Sequence, residues 1–180
     1  VPVEEFVEKN SNAFKNLLKA LNVSNDQFIR TTEERHKKGA QASWKATNPD
    51  DIYKKKYQGL YCVGCELFYK GNELNENGEC FEHPGKKLEI IEEENYFFKL
   101  SNYAGWLREI IDSGELSITP EVRKKEIFAF IGQGLEDFSI SRPVSRSKNW
   151  GVPVPGDESQ TIYVWYDALA NYITALGYPE

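Results

Sequence analysis

All three cysteines of this chain, and one of its two histidines, fall between positions 62 and 83. Cys62-Val63-Gly64-Cys65 is a Cys-x2-Cys turn, and after fourteen intervening residues Cys80-Phe81-Glu82-His83 follows as Cys-x2-His. Two residues between ligands let a tight turn aim both side chains at one point, with Gly64 available for the positive φ such turns often require. Three thiolates and an imidazole make a closed tetrahedral set for Zn2+, with no position left for water. The ion expected at Cys62, Cys65, Cys80 and His83 is therefore structural rather than catalytic. The competing reading is a redox Cys-x-x-Cys with an unrelated cysteine and histidine downstream. Redox pairs favour a helix N-terminus, whereas the flanks here read as strands and turns. An odd number of cysteines so tightly clustered argues against a disulfide framework and for a reducing compartment.

The surrounding segment needs such a staple. From Tyr57 to Leu100 short apolar pieces (Leu60-Tyr61, Leu67-Phe68-Tyr69, Leu88-Glu89-Ile90, Tyr96-Phe97-Phe98) alternate with Gly, Asn and charged turns. This predicts a small loop-rich β unit with little core of its own, in which metal-binding free energy acts as folding free energy.

Helical periods flank it. Phe14, Leu17, Leu18 and Leu21 predict an amphipathic helix over 3–21, and a capping box at Thr31 and Glu34 opens a second one running toward Trp44. His36 lies in a polar stretch and reads as solvated surface, as do Lys54-Lys55-Lys56 and Arg123-Lys124-Lys125. Asn48-Pro49-Asp50-Asp51 is turn chemistry and a domain boundary. Further helices are predicted from Tyr103 to Ile111, and from Thr119-Pro120-Glu121 to Gly132 or Gly134. A strand over Phe138–Ser141, a Pro/Gly/Ser-rich stretch and a strand over Ile162–Trp165 follow. Trp165, Ala168, Leu169, Tyr172, Ile173 and Leu176 give the cleanest helical period in the chain; on spacing alone this stripe reads as core packing.

Composition excludes other classes. With 40% hydrophobic and 13% aromatic residues in 180, the chain is not disordered. No apolar run approaches the roughly 20 residues a membrane helix needs. A formal charge of −6 gives no global basic field for nucleic acid, though local basic runs remain. The chain has no Met and opens on Val1, which predicts an excised piece of a longer protein or a processed N-terminus.

Several segments resemble one family. Asp26-Gln27-Phe28-Ile29-Arg30-Thr31-Thr32-Glu33-Glu34-Arg35-His36 is similar to the segment preceding the insertion in methionyl-tRNA synthetases, which are class I aminoacyl-tRNA synthetases. Gly59 to Glu66 resembles their zinc knuckle, and Glu93 to Leu100 the strand that follows. Phe138 to Pro143, Trp150 to Asp157 and Tyr163 to Leu169 resemble the return into the catalytic domain. The Ser-Arg and Trp-Gly-x-Pro pieces are shared with the synthetases for Leu, Ile and Val. The Trp165-Tyr166-Asp167-Ala168 segment and the short zinc-bearing insertion point to methionine.

The resemblance implies an α+β chain: a small β-rich zinc-knuckle insertion with helices, flanked by portions of a Rossmann-type α/β catalytic domain. Residues 1–48 would belong to its first half, 49–137 to the insertion and 138–180 to the start of the second half. It implies an ATP-dependent methionine–tRNA ligase, with ATP and Mg2+, methionine and tRNA as partners beside the remainder of the polypeptide, and a cytoplasmic location. Trp165, Ala168, Leu169 and Tyr172 match positions lining the methionine pocket, where a thioether needs apolar and aromatic walls; some family members carry Pro at the position of Leu169. Arg142 matches an arginine that steadies charge as the carboxylate attacks the α-phosphate. The family's His-Ile-Gly-His-type and Lys-Met-Ser-Lys-Ser-type motifs do not occur here, and the piece alone is expected not to form adenylate. The insertion shows no constellation for hydrolytic editing and is expected to position the tRNA acceptor end. The alternative is a stand-alone zinc-ribbon module that binds RNA or protein without catalysis.

Overall fold

Helix α1 (Val3–Ala20) opens the chain, with Glu4 and Glu5 at its positive end and Lys19 at its negative end. Asn22 takes a left-handed conformation (φ 53°), and Val23 N–H closes back on the Leu18 carbonyl at 2.9 Å, which ends the helix. None of the α1 residues is buried, so its apolar stripe (Phe6, Phe14, Leu17, with Leu21 just beyond) stands in solvent. The computed structural model describes residues 1–65 and 67–180; Glu66, the last residue of the knuckle segment, lies outside the described residues.

Helix α2 (Glu34–Ala46) begins later than the Thr31 capping box predicts. The Glu33 carboxylate accepts the Arg30 backbone N–H at 3.1 Å, and Glu33 N–H donates to the Arg30 carbonyl at 3.0 Å. Thr31 is thereby enclosed in a turn and caps nothing. His36 is not solvated but fully buried: α2 turns it inward, and its Nδ1 lies 3.1 Å from Thr174 Oγ1. One turn on, Gly39 allows a close approach, because a Cβ there would collide with Thr174 Cγ2.

The chain then enters β1 (Ile52–Cys62), the longest strand, which pairs antiparallel with β2 (Leu67–Tyr69) and β3 (Glu89–Phe98). A single turn of 3-10 helix at Pro49–Asp51 leads in, capped by the Asn48 side chain, at the turn read from the sequence. Helices α3 (Ala104–Asp112) and α4 (Glu121–Gly132) follow as a hairpin with its own cluster of Ile111, Ile131 and Leu135.

Strands β4 (Phe138–Ser139) and β5 (Ser141–Pro143) replace the single strand predicted there. β4 completes a sheet ordered β2-β1-β3-β4, whereas β5 belongs to a second sheet. Ile140, wholly buried, is the crossing point: its N–H donates to the Tyr96 carbonyl of the first sheet, and its carbonyl accepts Tyr163 N–H, both at 2.8 Å. After the short α5 (Val144–Ser147), β6 (Pro153–Val154) and β7 (Asp157–Ile162) complete the second sheet, in the order β5-β7-β6. The predicted strand through Trp165 ends at Ile162, because Tyr163 is diverted to Ile140.

Trp165 instead lies in α6 (Val164–Ala168), which leads to α7 (Asn171–Thr174). The single helix expected over this stretch is thus two, joined by Leu169 and Ala170 in right-handed helical conformation with tighter bonds from Ala170 N–H to Asp167 O and from Ile173 N–H to Ala170 O.

The principal core gathers Ala40 and Trp44 of α2 with Ile140, Val152, Val154 and Ile162. Trp44 meets the rings of Tyr96 (5.5 Å) and Tyr166 (5.7 Å) edge-on. Elements from before and after the Cys/His segment therefore share one core. No helix among the described residues is long and apolar enough to cross a membrane.

A candidate metal centre and the cleft beside it

The end of β1 and the turn before β2 present Cys62 and Cys65, and the loop before β3 returns Cys80 and His83 to the same point. Their ligand atoms all lie within 4.8 Å of one another. Cys62 Sγ is 3.2 Å from Cys80 Sγ and 3.7 Å from His83 Nδ1, and Cys65 Sγ is 3.8 Å and 3.1 Å from the same two atoms. Bonds of about 2.3 Å to a tetrahedral ion give edges of about 3.8 Å, so the set is already near the spacing such an ion requires.

The environment fits a soft divalent cation. Tyr69 Oη donates to Cys65 Sγ at 3.2 Å, orienting a sulfur as outer hydrogen bonds do at metal sites. Burial raises the Cys62 thiol, but amide N–H groups of Cys65 and Gly64 and the neighbouring thiols outweigh it and leave that thiol acidic. Burial, followed by the contact with Cys62, pushes Cys80 up to about 11. Three thiolates at this spacing repel, and a cation is what permits all three at once. Gly64 does not supply the positive φ expected of it. Its role is space: a Cβ there would sit 2.6 Å from the His83 ring.

Immediately beyond lies a cleft of about 430 Å³, lined by Tyr61, Arg142, Arg146, Lys148, Tyr163 and Asp167 among others. Arg142, on β5, is neither surface decoration nor ion-paired among the described residues. Its Nη1 donates to Ser139 Oγ (2.7 Å) and to the Ser141 carbonyl (2.8 Å), and its guanidinium carbon lies 3.9 Å from the centre of the Tyr163 ring. Burial lowers its pKa, with Tyr163 and Glu93 acting in the opposite sense; a guanidinium remains charged regardless. Such a fixed, partly desolvated cation with no bound counter-charge among the described residues is suited to an anionic group.

Trp165, Leu169 and Tyr172 are 65%, 66% and 78% exposed, and Ala168 is half-buried beside them. The stripe that spacing alone reads as core is an uncovered apolar and aromatic face. The opposite face of α6 and α7 buries Asp167, Ala170 and Thr174.

Sequence reasoning missed Asp167, Arg146 and Glu93. Asp167 is 4% exposed, and its Oδ1 finds no hydrogen-bond partner among the described residues. Burial alone pushes this carboxyl up to about 7. Its only sequence signal is an i, i+3, i+7 relation to Ala170 and Thr174, which no hydrophobic pattern highlights. Glu93 and Asn95 flank exposed Glu94 on β3 and are buried in alternation with Phe97, a period-two signal carried by polar residues.

Fold and site together define a class. The whole chain, residues 1–180, matches the model of the class I tRNA synthetases (M), and the chain belongs to that family. Among its relatives, the methionine–tRNA ligase of Brucella suis biovar 1 is 45% identical over 98% of this chain and 34% of that protein. The methionine–tRNA ligase of Fusobacterium nucleatum is 44% identical over 97% of the chain and 27% of its own length. A solved structure of Mycobacterium tuberculosis methionyl-tRNA synthetase in complex with methionyl-adenylate matches 100% of this chain and 35% of its own, with a TM-score of 0.86 and 37% identity. The chain thus spans about a third of the length of the first of these curated relatives. The match extends far beyond the Cys/His cluster and leaves the stand-alone zinc-ribbon reading without support.

Proposed function

We propose that these 180 residues are the middle of an enzyme that activates methionine with ATP and Mg2+ and attaches it to tRNA in the cytoplasm. Residues 1–48 and 138–180 contribute to the two halves of a Rossmann-type catalytic domain; they share a buried core around Trp44, on which Ile52, Tyr96 and Phe98 of the insertion also pack. Residues 49–137 form the insertion, which positions the acceptor end of tRNA. Cys62, Cys65, Cys80 and His83 hold a structural Zn2+, which stiffens the arm and takes no part in the reaction. In activation, the methionine carboxylate attacks the ATP α-phosphate and pyrophosphate leaves; Arg142 steadies the charge that develops there.

The observation that carries this reading is the uncovered face of Trp165, Leu169 and Tyr172 on short helices whose other face is anchored to α2 through Thr174 and His36. A flexible thioether is recognised by apolar and aromatic walls, and Ala168 leaves room between them. The test is methionine-dependent exchange of pyrophosphate into ATP by the full-length enzyme. W165A and Y172A are expected to raise the KM for methionine about tenfold or more, as loss of a large apolar contact implies, with metal content unchanged. A methionine KM unaffected by both substitutions overturns the assignment of this face.

A further inference from the structure

We infer that Arg146 is a positioning residue for activation: it holds the Glu93 carboxylate and the root of the Cys/His arm, and so keeps Arg142 unpaired and available to an anion. The inference deepens the function proposed above and rests on the role given there to Arg142.

Three contacts converge on Arg146, on α5. Its Nε lies 2.8 Å from Glu93 Oε1, with side-chain exposures of 26% and 4%. The alignment falls short of a hydrogen bond, so the charge contact is what compensates that oxygen. The other oxygen, Oε2, accepts from the amide of buried Asn95 at 3.2 Å. The Arg146 guanidinium also lies over the ring of Tyr61, 4.3 Å from its centre. Tyr61 immediately precedes the ligand Cys62 and faces Phe68 across the β1–β2 ladder, their rings 5.0 Å apart.

Arg142 approaches the same group of rings. Its guanidinium carbon is 5.8 Å from the centre of the Phe68 ring and 3.9 Å from that of Tyr163. The two arginines therefore share one aromatic wall, and both line the cleft. Glu93 and Arg146 act on Arg142 in opposite senses, so both are electrostatic neighbours of it. Two cations compete for one buried carboxylate, and Arg146 holds it.

Removing Arg146 leaves a buried carboxylate uncompensated, which is strongly unfavourable. Arg142 is the other arginine whose charge Glu93 influences. A carboxylate drawn to Arg142 would neutralise the charge that an anionic transition state needs and would compete for its N–H donors. A purely structural Arg146 makes a different prediction: R146A would then lose rate only in step with thermal midpoint and zinc content, and E93Q would restore all three together, whereas capture of Arg142 lowers kcat beyond what the folded, zinc-loaded fraction accounts for.

The experiment measures pyrophosphate exchange by the full-length enzyme carrying R146A, R146K, E93Q/R146A or R142Q, with zinc content and thermal midpoint followed in each. R146A is expected to lower kcat about tenfold or more, with the methionine KM within about twofold. E93Q/R146A is expected to recover most of that loss, and R146K to retain most of the wild-type rate. Wild-type kcat in R146A, or a double variant no faster than R146A, overturns the inference. If R146A does not fold, R146K decides, and a loss there as deep as that of R142Q overturns the inference equally. R142Q separates the two layers: wild-type exchange in R142Q removes the role of Arg142 itself, whereas its loss together with an active R146A removes only the inference about Arg146.

Discussion

His36 Nδ1 and Thr174 Oγ1 meet at 3.1 Å inside the protein, although 138 residues separate them in sequence. The contact ties α2 to α7, fixing the buried side of the helix that carries Tyr172 and follows directly on the helix that carries Trp165. Burial lowers the His36 pKa, so the imidazole is neutral near pH 7. In T174V the ring loses its partner at nearly constant volume. The expected cost is about 1–3 kcal/mol, read as a lower urea midpoint with an unchanged denaturant slope. An unshifted midpoint would show that the contact does not contribute.

Gly39 sets two effects against each other. Ala in place of Gly in a helix interior gains about 1 kcal/mol, yet a Cβ at this position collides with Thr174 Cγ2 and lies 3.0 Å from the Tyr178 carbonyl oxygen. Overpacking of this kind costs about 1–3 kcal/mol, so G39A is expected to destabilise. A raised melting midpoint for G39A would refute the close packing of α2 on α7.

Gly64 tests the metal centre without touching a ligand. Its missing Cβ leaves room for the His83 ring, which an added methyl would approach to 2.6 Å. G64A is expected to lose zinc to a competing chelator at least about tenfold more readily, in line with other changes just outside a metal's ligands. The control is G71A, where a Cβ meets nothing within 4 Å. Equal zinc retention in both variants contradicts the geometry.

Asp167 gives stability a pH dependence of definite sign. Its carboxyl is raised by burial to about 7, against about 3.9 in the unfolded chain. Below the lower value both states are protonated and the group contributes no slope. Between the two, the folded state binds more protons, so stability falls as pH rises, by up to about 1.4 kcal/mol per unit. Above about 7 the penalty is complete. Urea unfolding of wild type and D167N between pH 4.5 and 8 should show the decline in wild type and a shallower one in D167N; parallel profiles would mean that Asp167 is solvated.

Local signals were legible in the sequence. The Cys62–His83 spacing, the period of α1 and the Thr119-Pro120-Glu121 start of α4 each depend on residues close in the chain. What was not legible depends on distant partners. Ile162-Tyr163-Val164-Trp165 is a β-rich run, yet Tyr163 N–H goes to Ile140 O and the chain turns into a helix. Ile140 can serve two sheets only because β3 and β7 lie on either side of it. His36 looked solvated because its neighbours are charged, and only the approach of α7 explains its burial. The Trp165–Tyr172 stripe has the period of a core helix, but spacing does not reveal what, if anything, covers it.

The most direct test of the central claim is to strip the metal and watch the arm. Zinc should be found at one ion per chain. After chelation, amide hydrogen exchange in Leu60–Cys62 and Leu67–Tyr69 should rise to that of unstructured peptide, while the α2 segment around Trp44 stays protected. Unchanged protection of those two strands in protein shown to contain no metal would contradict an arm held together by Cys62, Cys65, Cys80 and His83.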